Sequence, residues 1–293
     1  MTLSGDCNSV GSITVGAGTL DVAFDNAATE LNIGSIAMAE NTAFKVTQGT
    51  VTFGETDVVL NNLSGDNGAI VVDGVLTLNN DQLTKYVGAI SAQTIKKTGD
   101  ETLQIYAAAA GMVNADSFIV SSGRLDMKDY FTGSLEVGEN LGNGSYTTAV
   151  LSPGNSVGTL TVDGDYTLNP GSTLLIEIGK DEYGNVVADK LIVNGEATFE
   201  SGSIIDIVLD DASSLEGGAT FEGVIITADN AADIFDDVKA AVRSYYFDIT
   251  VTQSGNNILL TATLDPNAVP EPSTWALLAL GVVVLFLRKR VRN

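Results

Sequence analysis

The feature that most constrains this chain is a repeated alternation of short β-branched runs with tight-corner residues. Ser12-Ile-Thr-Val, Thr19-Leu-Asp-Val-Ala-Phe, Thr50-Val-Thr-Phe, Ala69-Ile-Val-Val and Val75-Leu-Thr-Leu are each bounded by Gly, Asn or Asp. Such runs are too short for helices and rich in residues that favour strands. In Gly158-Thr-Leu-Thr-Val, Leu160 and Val162 point one way and Thr159 and Thr161 the other. Corners are expected at Asn79-Asn80, Ser122-Gly123, Gly142-Asn143-Gly144, Asp163-Gly164, Asn194-Gly195 and Ser201-Gly202, where Gly and Asn tolerate a positive φ. A loose "turn, strand, turn, strand" unit returns at 10–15, 47–53, 74–78, 99–105, 121–127 and 156–162, so the repeat is degenerate.

Two closures satisfy this pattern: a right-handed parallel β-helix, or an antiparallel sandwich. Asn-Gly and Asp-Gly corners also serve hairpins, so local chemistry leaves both open. Many short strands without compact Greek-key spacing favour the β-helix, and the expected fold class is all-β. The expected organisation is a β-helix over 1–225, a cap over 226–264, a Pro-rich linker over 265–274 and a hydrophobic segment with a basic tail over 275–293.

Within the cap, Asp229 to Val242 spaces Ile234, Phe235, Val238 and Val242 on one helical face, with Asp229 or Asn230 as N-cap. Phe247 to Val251 and Asn257 to Leu264 flank Ser254-Gly-Asn256 and read as a hairpin. The Ala107–Ala110 run suits a brief helix or a packed corner, and Asp116 to Val120 is ambiguous.

Composition narrows the chemistry. There is no histidine and one cysteine, Cys7, in 293 residues. Ser-His-Asp and Cys-His catalysis, His metal sites and an internal disulfide are therefore excluded, and Cys7 is assigned no role. Residues 1–269 hold 10 bases and 36 acids, a charge of −26 that disfavours nucleic acid as a partner.

The remaining catalytic currency is carboxylate. Asp210-Asp211, Asp236-Asp237, Asp181-Glu182 and Asp163 with Asp165 are candidates for the two acids a glycosidase needs, against the ordinary alternative of solvated turn acids. Asp163-Gly-Asp165 opens like a Ca²⁺ loop but lacks the central Gly and the closing Glu. Lys190, Arg124 and Lys128 are the bases that a Ca²⁺-assisted polysaccharide lyase would draw on. Lys96-Lys97 reads as a solvated strand entry. Tyr245-Tyr246-Phe247 suits either sugar stacking or packing of the terminal strand. No catalytic residue, metal site or cofactor is assigned.

The C-terminus is distinct. Pro266, Pro270 and Pro272 mark an extended linker. Trp275 to Leu287 is a run of 13 uncharged residues, followed by Arg288-Lys289-Arg290. At 1.5 Å per residue the run reaches about 20 Å, short of a ~30 Å bilayer core. Snorkelling bases and Trp275 at the interface recover part of that gap, with the basic end cytoplasmic. Val269-Pro270-Glu271-Pro272-Ser273, the apolar run and the basic cluster together resemble a PEP-CTERM sorting signal. The resemblance implies export across the inner membrane of a Gram-negative bacterium, tethering through Trp275 to Arg290, and removal of the tail by an exosortase. Release to the cell surface or medium follows, often in biofilm-forming bacteria. Such a protein is expected to carry a signal peptide. Met1-Thr-Leu-Ser-Gly-Asp has neither a basic nor an apolar leader region, so a truncated start or a fragment is expected.

Leu151-Ser-Pro-Gly-Asn-Ser-Val-Gly-Thr-Leu-Thr-Val, with Asp189-Lys-Leu-Ile-Val-Asn-Gly195 downstream, is similar to a repeat of autotransporter passenger domains. Lys97-Thr-Gly-Asp-Glu-Thr-Leu-Gln-Ile, followed by Ser122-Gly-Arg-Leu-Asp-Met, resembles a second copy that departs at Asp100-Glu101. That resemblance implies a surface-displayed β-helix. The expectation is therefore a non-enzymatic structural or adhesive protein of the envelope or biofilm matrix, with polysaccharide as a possible ligand. A β-helix carbohydrate-active enzyme and a carbohydrate-binding module are the alternatives.

Overall fold

The structure is a computed structural model that describes residues 2–3, 9–26, 28–107, 109–210 and 215–266. The chain is all-β, with one short helix, Phe235–Ala241, among the described residues. The strands pair mostly in parallel and each lies beside a strand further along the chain, forming three ladders. The first runs through Asp57–Asn61, Val75–Asn79, Thr94–Thr98, Val113–Val120, Tyr166–Leu168 and Ala197–Phe199. The second passes Thr102–Ala107, Val150–Ser152, Thr173–Lys180, Ile204–Leu209 and Val242–Ser244. The third passes Gly65–Val72, Thr84–Ser91, Thr159–Asp163, Lys190–Val193 and Thr220–Ala228.

One strand joins all three. Arg124–Val137 pairs with Val150–Ser152, then Thr159–Asp163, then Tyr166–Leu168. It bends at Asp129 and Gly133, whose φ values are 76° and 124°. Alternation places one side of every ladder in a shared core. Leu125, Met127, Phe131, Leu135 and Val137 of this strand are all buried there. Aromatic pairs join neighbouring layers, including Phe118–Phe131 at 5.6 Å and Tyr166–Phe199 at 5.7 Å.

The corners divide into two kinds. Gly123, Gly142, Gly144 and Gly202 adopt the expected positive φ. Gly164 and Gly195 do not; they are small because the layers stack closely there. A Cβ on Gly164 would lie 2.3 Å from the Gly133 carbonyl oxygen, and one on Gly195 would lie 2.6 Å from that of Gly164. Asn79 and Asn80 also lack a positive φ, and Asn80 is wholly buried.

The end of the stack differs from the expected cap in detail. The helix is shorter than 229–242 and starts after Ile234, with no side-chain cap. Neither Asp229 nor Asn230 caps it, because both are engaged elsewhere. Asp229 accepts from Asn256 at 2.8 Å. Asn230 mimics the next rung of the first ladder: its Oδ1 accepts from Ala197 N at 3.2 Å and its Nδ2 donates to Ala197 O at 2.8 Å. In the preceding layer Tyr166 N donates to Glu196 O, a backbone group, at 2.9 Å. A carboxamide thus ends a ladder that would otherwise present bare backbone groups. Helix residue Val238 is buried against this end.

The hairpin forms as expected, with Phe247–Ser254 antiparallel to Asn257–Leu264. It continues into Thr220–Ala228, so the stack closes by switching from parallel to antiparallel pairing. Thr220–Ala228 runs through the expected boundary at 225/226. Ala107 ends a strand and residues 109–111 form a turn, while residue 108 lies outside the described residues; Asp116 to Val120 belongs to the strand Val113–Val120.

Candidate functional site

The principal polar cluster lies on the outside of the second ladder. Val150–Ser152 stops at Pro153, which has no N–H to continue a ladder. The chain then folds tightly through Gly154, where a Cβ would meet Ser156 O at 2.2 Å, and Ser156 takes a φ of 75°. The resulting strap, Pro153 to Gly158, lies across neighbouring layers. Asn155 Oδ1 accepts from Gln104 Nε2 at 2.6 Å. Ser156 Oγ donates to Asp210 Oδ2 at 2.8 Å. Gly158 N donates to Asp189 Oδ1 at 2.6 Å.

Beneath and beside the strap, acids gather around one guanidinium. Arg124 Nε donates to Asp126 Oδ1, and its Nη2 lies 3.6 Å from Glu177 Oε1. Gln104 Nε2 also reaches Asp126 Oδ2 at 3.3 Å. Asp126 alternates outward between Leu125 and Met127, yet is 2% exposed. Asp189 is fully buried, and its second oxygen accepts from Glu177 N at 2.9 Å. Burial pushes the Asp189 carboxyl up to about 8, and the two backbone N–H groups pull against it. Burial also raises Asp126 and Glu177, opposed by Arg124. Arg124 itself is disfavoured by burial and more than restored by Asp126 and Glu177. Ser152 Oγ and Glu177 Oε2 are buried without a hydrogen-bond partner. Among the described residues no group of three or more His, Cys, Asp or Glu side chains is placed to hold a metal ion. Arg124 also lines an open groove of about 730 Å³ with Asp100, Ser122, Thr148 and Thr173.

Of the three expected bases, Arg124 and Lys128 lie at this cluster, and Lys190 meets the strap through its backbone alone. Arg124 is inside the cluster, Lys128 Cδ lies 3.6 Å from where a Cβ on Gly158 would sit, and Lys190 N donates to Gly158 O at 2.9 Å. The acid pairs do not form such a centre. Asp163 accepts from Asn194 Nδ2, and Asp165 from Glu196 N. Asp181 braces its own turn through Tyr183 N, Asn185 N and Asn185 Nδ2, and the Asn185 side chain leads in holding its carboxyl below the ordinary range. Asp236 and Asp237 sit in the first helical turn, where the dipole favours them. Asp210 alone joins the cluster; Asp211 lies outside the described residues.

A second polar cluster occupies the corners of the first ladder, and it corrects the expectation for Lys96-Lys97. Lys96 bonds Glu139 at 2.7 Å, but Lys97 is fully buried. Lys97 is in register with Leu78 and Val120, an inward column, and shares the inward phase of Ile95. Its Nζ turns out of the apolar column to donate to the carbonyls of Thr98, Gly99 and Ser122 at 2.9, 2.8 and 3.1 Å. Burial lowers its pKa to about 8, against the pull of Asp100 and Glu101. Asparagines extend the corner from layer to layer. Asn61 Nδ2 donates to Ala39 O, Asn79 Nδ2 to Asn61 Oδ1, and Thr98 Oγ1 to Asn79 Oδ1.

At the terminal hairpin Phe247 packs inward and Tyr246 is partly buried against the core, while Tyr245 is 81% exposed. The aromatic trio therefore divides between packing and exposure. Sequence reasoning gave no site role to Asp126, Glu177 or Asp189, although the repeat resemblance pairs the Asp189 segment with 151–162; the groups that bury them come from distant segments. Among the described residues no helix is long and apolar enough to cross a membrane. Cys7, Val269, Pro270, Glu271, Pro272, Ser273, Trp275, Arg288, Lys289 and Arg290 lie outside the described residues.

Residues 268–290 match the family described as the PEP-CTERM protein-sorting motif. No curated protein matches the chain. The motif marks an exported protein that an exosortase processes and that is anchored transiently in the membrane through its C-terminal tail.

Proposed function

We propose that this protein is a non-enzymatic structural or adhesive component of the bacterial envelope or biofilm matrix. Its body is a right-handed parallel β-helix, similar to autotransporter passengers, that an exosortase frees from the inner membrane for display at the cell surface or release. The sorting motif at 268–290 carries this reading. The three parallel ladders support the β-helix, since a chain that returns to the same ladder every few strands winds a coil. In the strap cluster, Asp126, Asp189 and Asp210 hold Arg124, backbone N–H groups or Ser156, which suits a bracing role. Intact mass of the mature protein, recovered from envelope and medium of its native host, tests the proposal. Loss of everything beyond Pro270-Glu271-Pro272 is the expected result. A retained Trp275–Asn293 tail would remove the exosortase step and the matrix role that leans on it.

A second reading, a polysaccharide-degrading β-helix, is favoured by one observation: carboxylates and Arg124 converge beside the 730 Å³ groove. A viscosity assay on soluble polysaccharides separates the two. Turnover that Glu177→Gln abolishes would establish the enzyme.

A further inference from the structure

We propose that the outer edge of Phe247–Ser254 is a self-association site, at which two copies of this chain pair antiparallel and join their stacks end to end. Asn257–Leu264 lies between Thr220–Ala228 and Phe247–Ser254, so the latter strand is the last of its sheet. Asp265 N donates to Tyr246 O at 2.9 Å, while Leu264 turns the other way, its N donating to Ala219 O and its O accepting from Gly218 N. Hydrogen-bonded and non-hydrogen-bonded positions alternate along an antiparallel pair. Asp248, Thr250 and Thr252 therefore address Asn257–Leu264, and Ile249, Val251 and Gln253 direct their N–H and C=O groups outward. Among the described residues no strand takes up that side. Phe247 N is met there by Ser244 Oγ at 3.1 Å.

An edge of this length is normally blunted by Lys, Pro or a bulge. This one has eight residues, an unbroken register, no Pro and a single charge, Asp248. Its sequence is also self-complementary. Set antiparallel about Thr250, Ile249 faces Val251 of the second copy, Thr250 faces Thr250, and Asp248 faces Thr252. The partly buried aliphatic side chains then share the core side, and the exposed hydroxyls share the other. Along the strands the two Asp248 residues stay about 14 Å apart. A seam of one strand pair covers less than the ~1,200 Å² of a stable interface, so free chains pair weakly. The sorting motif begins at 268, just after the hairpin. Chains anchored through that tail hold these edges at one membrane surface, which raises their effective concentration and makes a second copy the occupant. The pairing rests on the anchored tail and goes beyond the structural role proposed above.

Disulfide trapping on the full chain tests this, in phosphatidylethanolamine–phosphatidylglycerol vesicles and with the native cysteine removed by Cys7→Ser. Thr250 addresses its own hairpin, so across the seam it meets its copy as a non-hydrogen-bonded pair with Cα atoms about 4.5 Å apart, within disulfide reach. Among chains that float with the vesicles, mild oxidation should link most Thr250→Cys proteins as dimers and few Asp248→Cys proteins. Val251→Pro removes an outward N–H, leaves the bonds to Asn257–Leu264 in place and should abolish linking at position 250. Equal yields at 250 and 248 would report random collision and overturn the proposal, as would the absence of a dimer at 250. So would an unlinked protein whose Ile249, Val251 and Gln253 amides resist hydrogen exchange, since the chain's own residues would then cover the edge. If Val251→Pro fails to fold, the contrast between positions 250 and 248 decides. None of these outcomes bears on removal of the tail, which the mass of the mature protein tests separately.

Discussion

The Lys97 corner and the Pro153–Gly158 strap both bury polar groups at the margin of a ladder, and they balance donors and acceptors in opposite ways. At the corner, three backbone carbonyls surround one ammonium, and asparagine amides carry the bonding from layer to layer. Oriented carbonyl dipoles suit a cation, and carboxamides supply donors and acceptors together. At the strap the acceptors are carboxyl groups and one arginine is the charged donor among them. The consequences for pH have opposite sign. Asp189 is raised towards 8, so its contribution falls as pH rises from ordinary carboxyl values to about 8. Lys97 is lowered to about 8, so its penalty is present below that value and is relieved from there up to its ordinary value. Both costs are therefore in force together near pH 8.

The strongest way to break this comparison is Asp189→Ala. It leaves the Gly158 and Glu177 N–H groups without an acceptor, and each buried orphan costs about 1–3 kcal/mol. Denaturant unfolding should register a loss of about 3 kcal/mol; a loss below 1 kcal/mol would mean that the strap bears no load. Asn62→Ala should cost about 2 kcal/mol, since it removes the bond to Thr42 O and the acceptor for Asp81 N and leaves at φ 49° a residue that tolerates the left-handed region less well than asparagine. Asn62→Gly, measured in the same titration, should recover the conformational part of that loss. Lys97→Met should cost only about 1 kcal/mol at pH 7, because three lost carbonyl bonds are offset by an apolar side chain between Leu78 and Val120. Its sharper signature is in pH: the unmodified protein should gain stability above pH 8 relative to the variant. Parallel curves for the two proteins would show that Lys97 does not titrate in this window.

Much of the stack was legible in the chain. Period-two alternation in Gly158-Thr-Leu-Thr-Val correctly sets Leu160 and Val162 on one side, which is the buried one. The same rule, applied to Thr94-Ile-Lys-Lys-Thr, puts Lys97 in phase with buried Ile95, a signal that the charge of the residue masked. The cap residues were less legible. Asp229 and Asn230 have the chemistry of helix caps, but a ladder end without a partner strand competes for the same carboxamide and wins Asn230. The glycines at 164 and 195 were identified as corners for an incomplete reason, since their small size serves stacking between layers. The strap cluster was legible only as two segments of one repeat, and its contacts were not: Asp189 meets Gly158 and Glu177 across 31 and 12 positions, and Ser156 meets Asp210 across 54.

The sequence by itself determined the strand-forming alternation, the places where the chain turns, the acidic charge and the sorting motif at its end. Each of these rests on residues close together in the chain, where backbone sterics, solvation and short-range spacing act directly. The tertiary structure decided which polar groups are buried and what they meet. Parallel stacking sets residues from separate layers side by side, and only that placement turns Lys97 into a corner donor and Asp189 into the anchor of a strap.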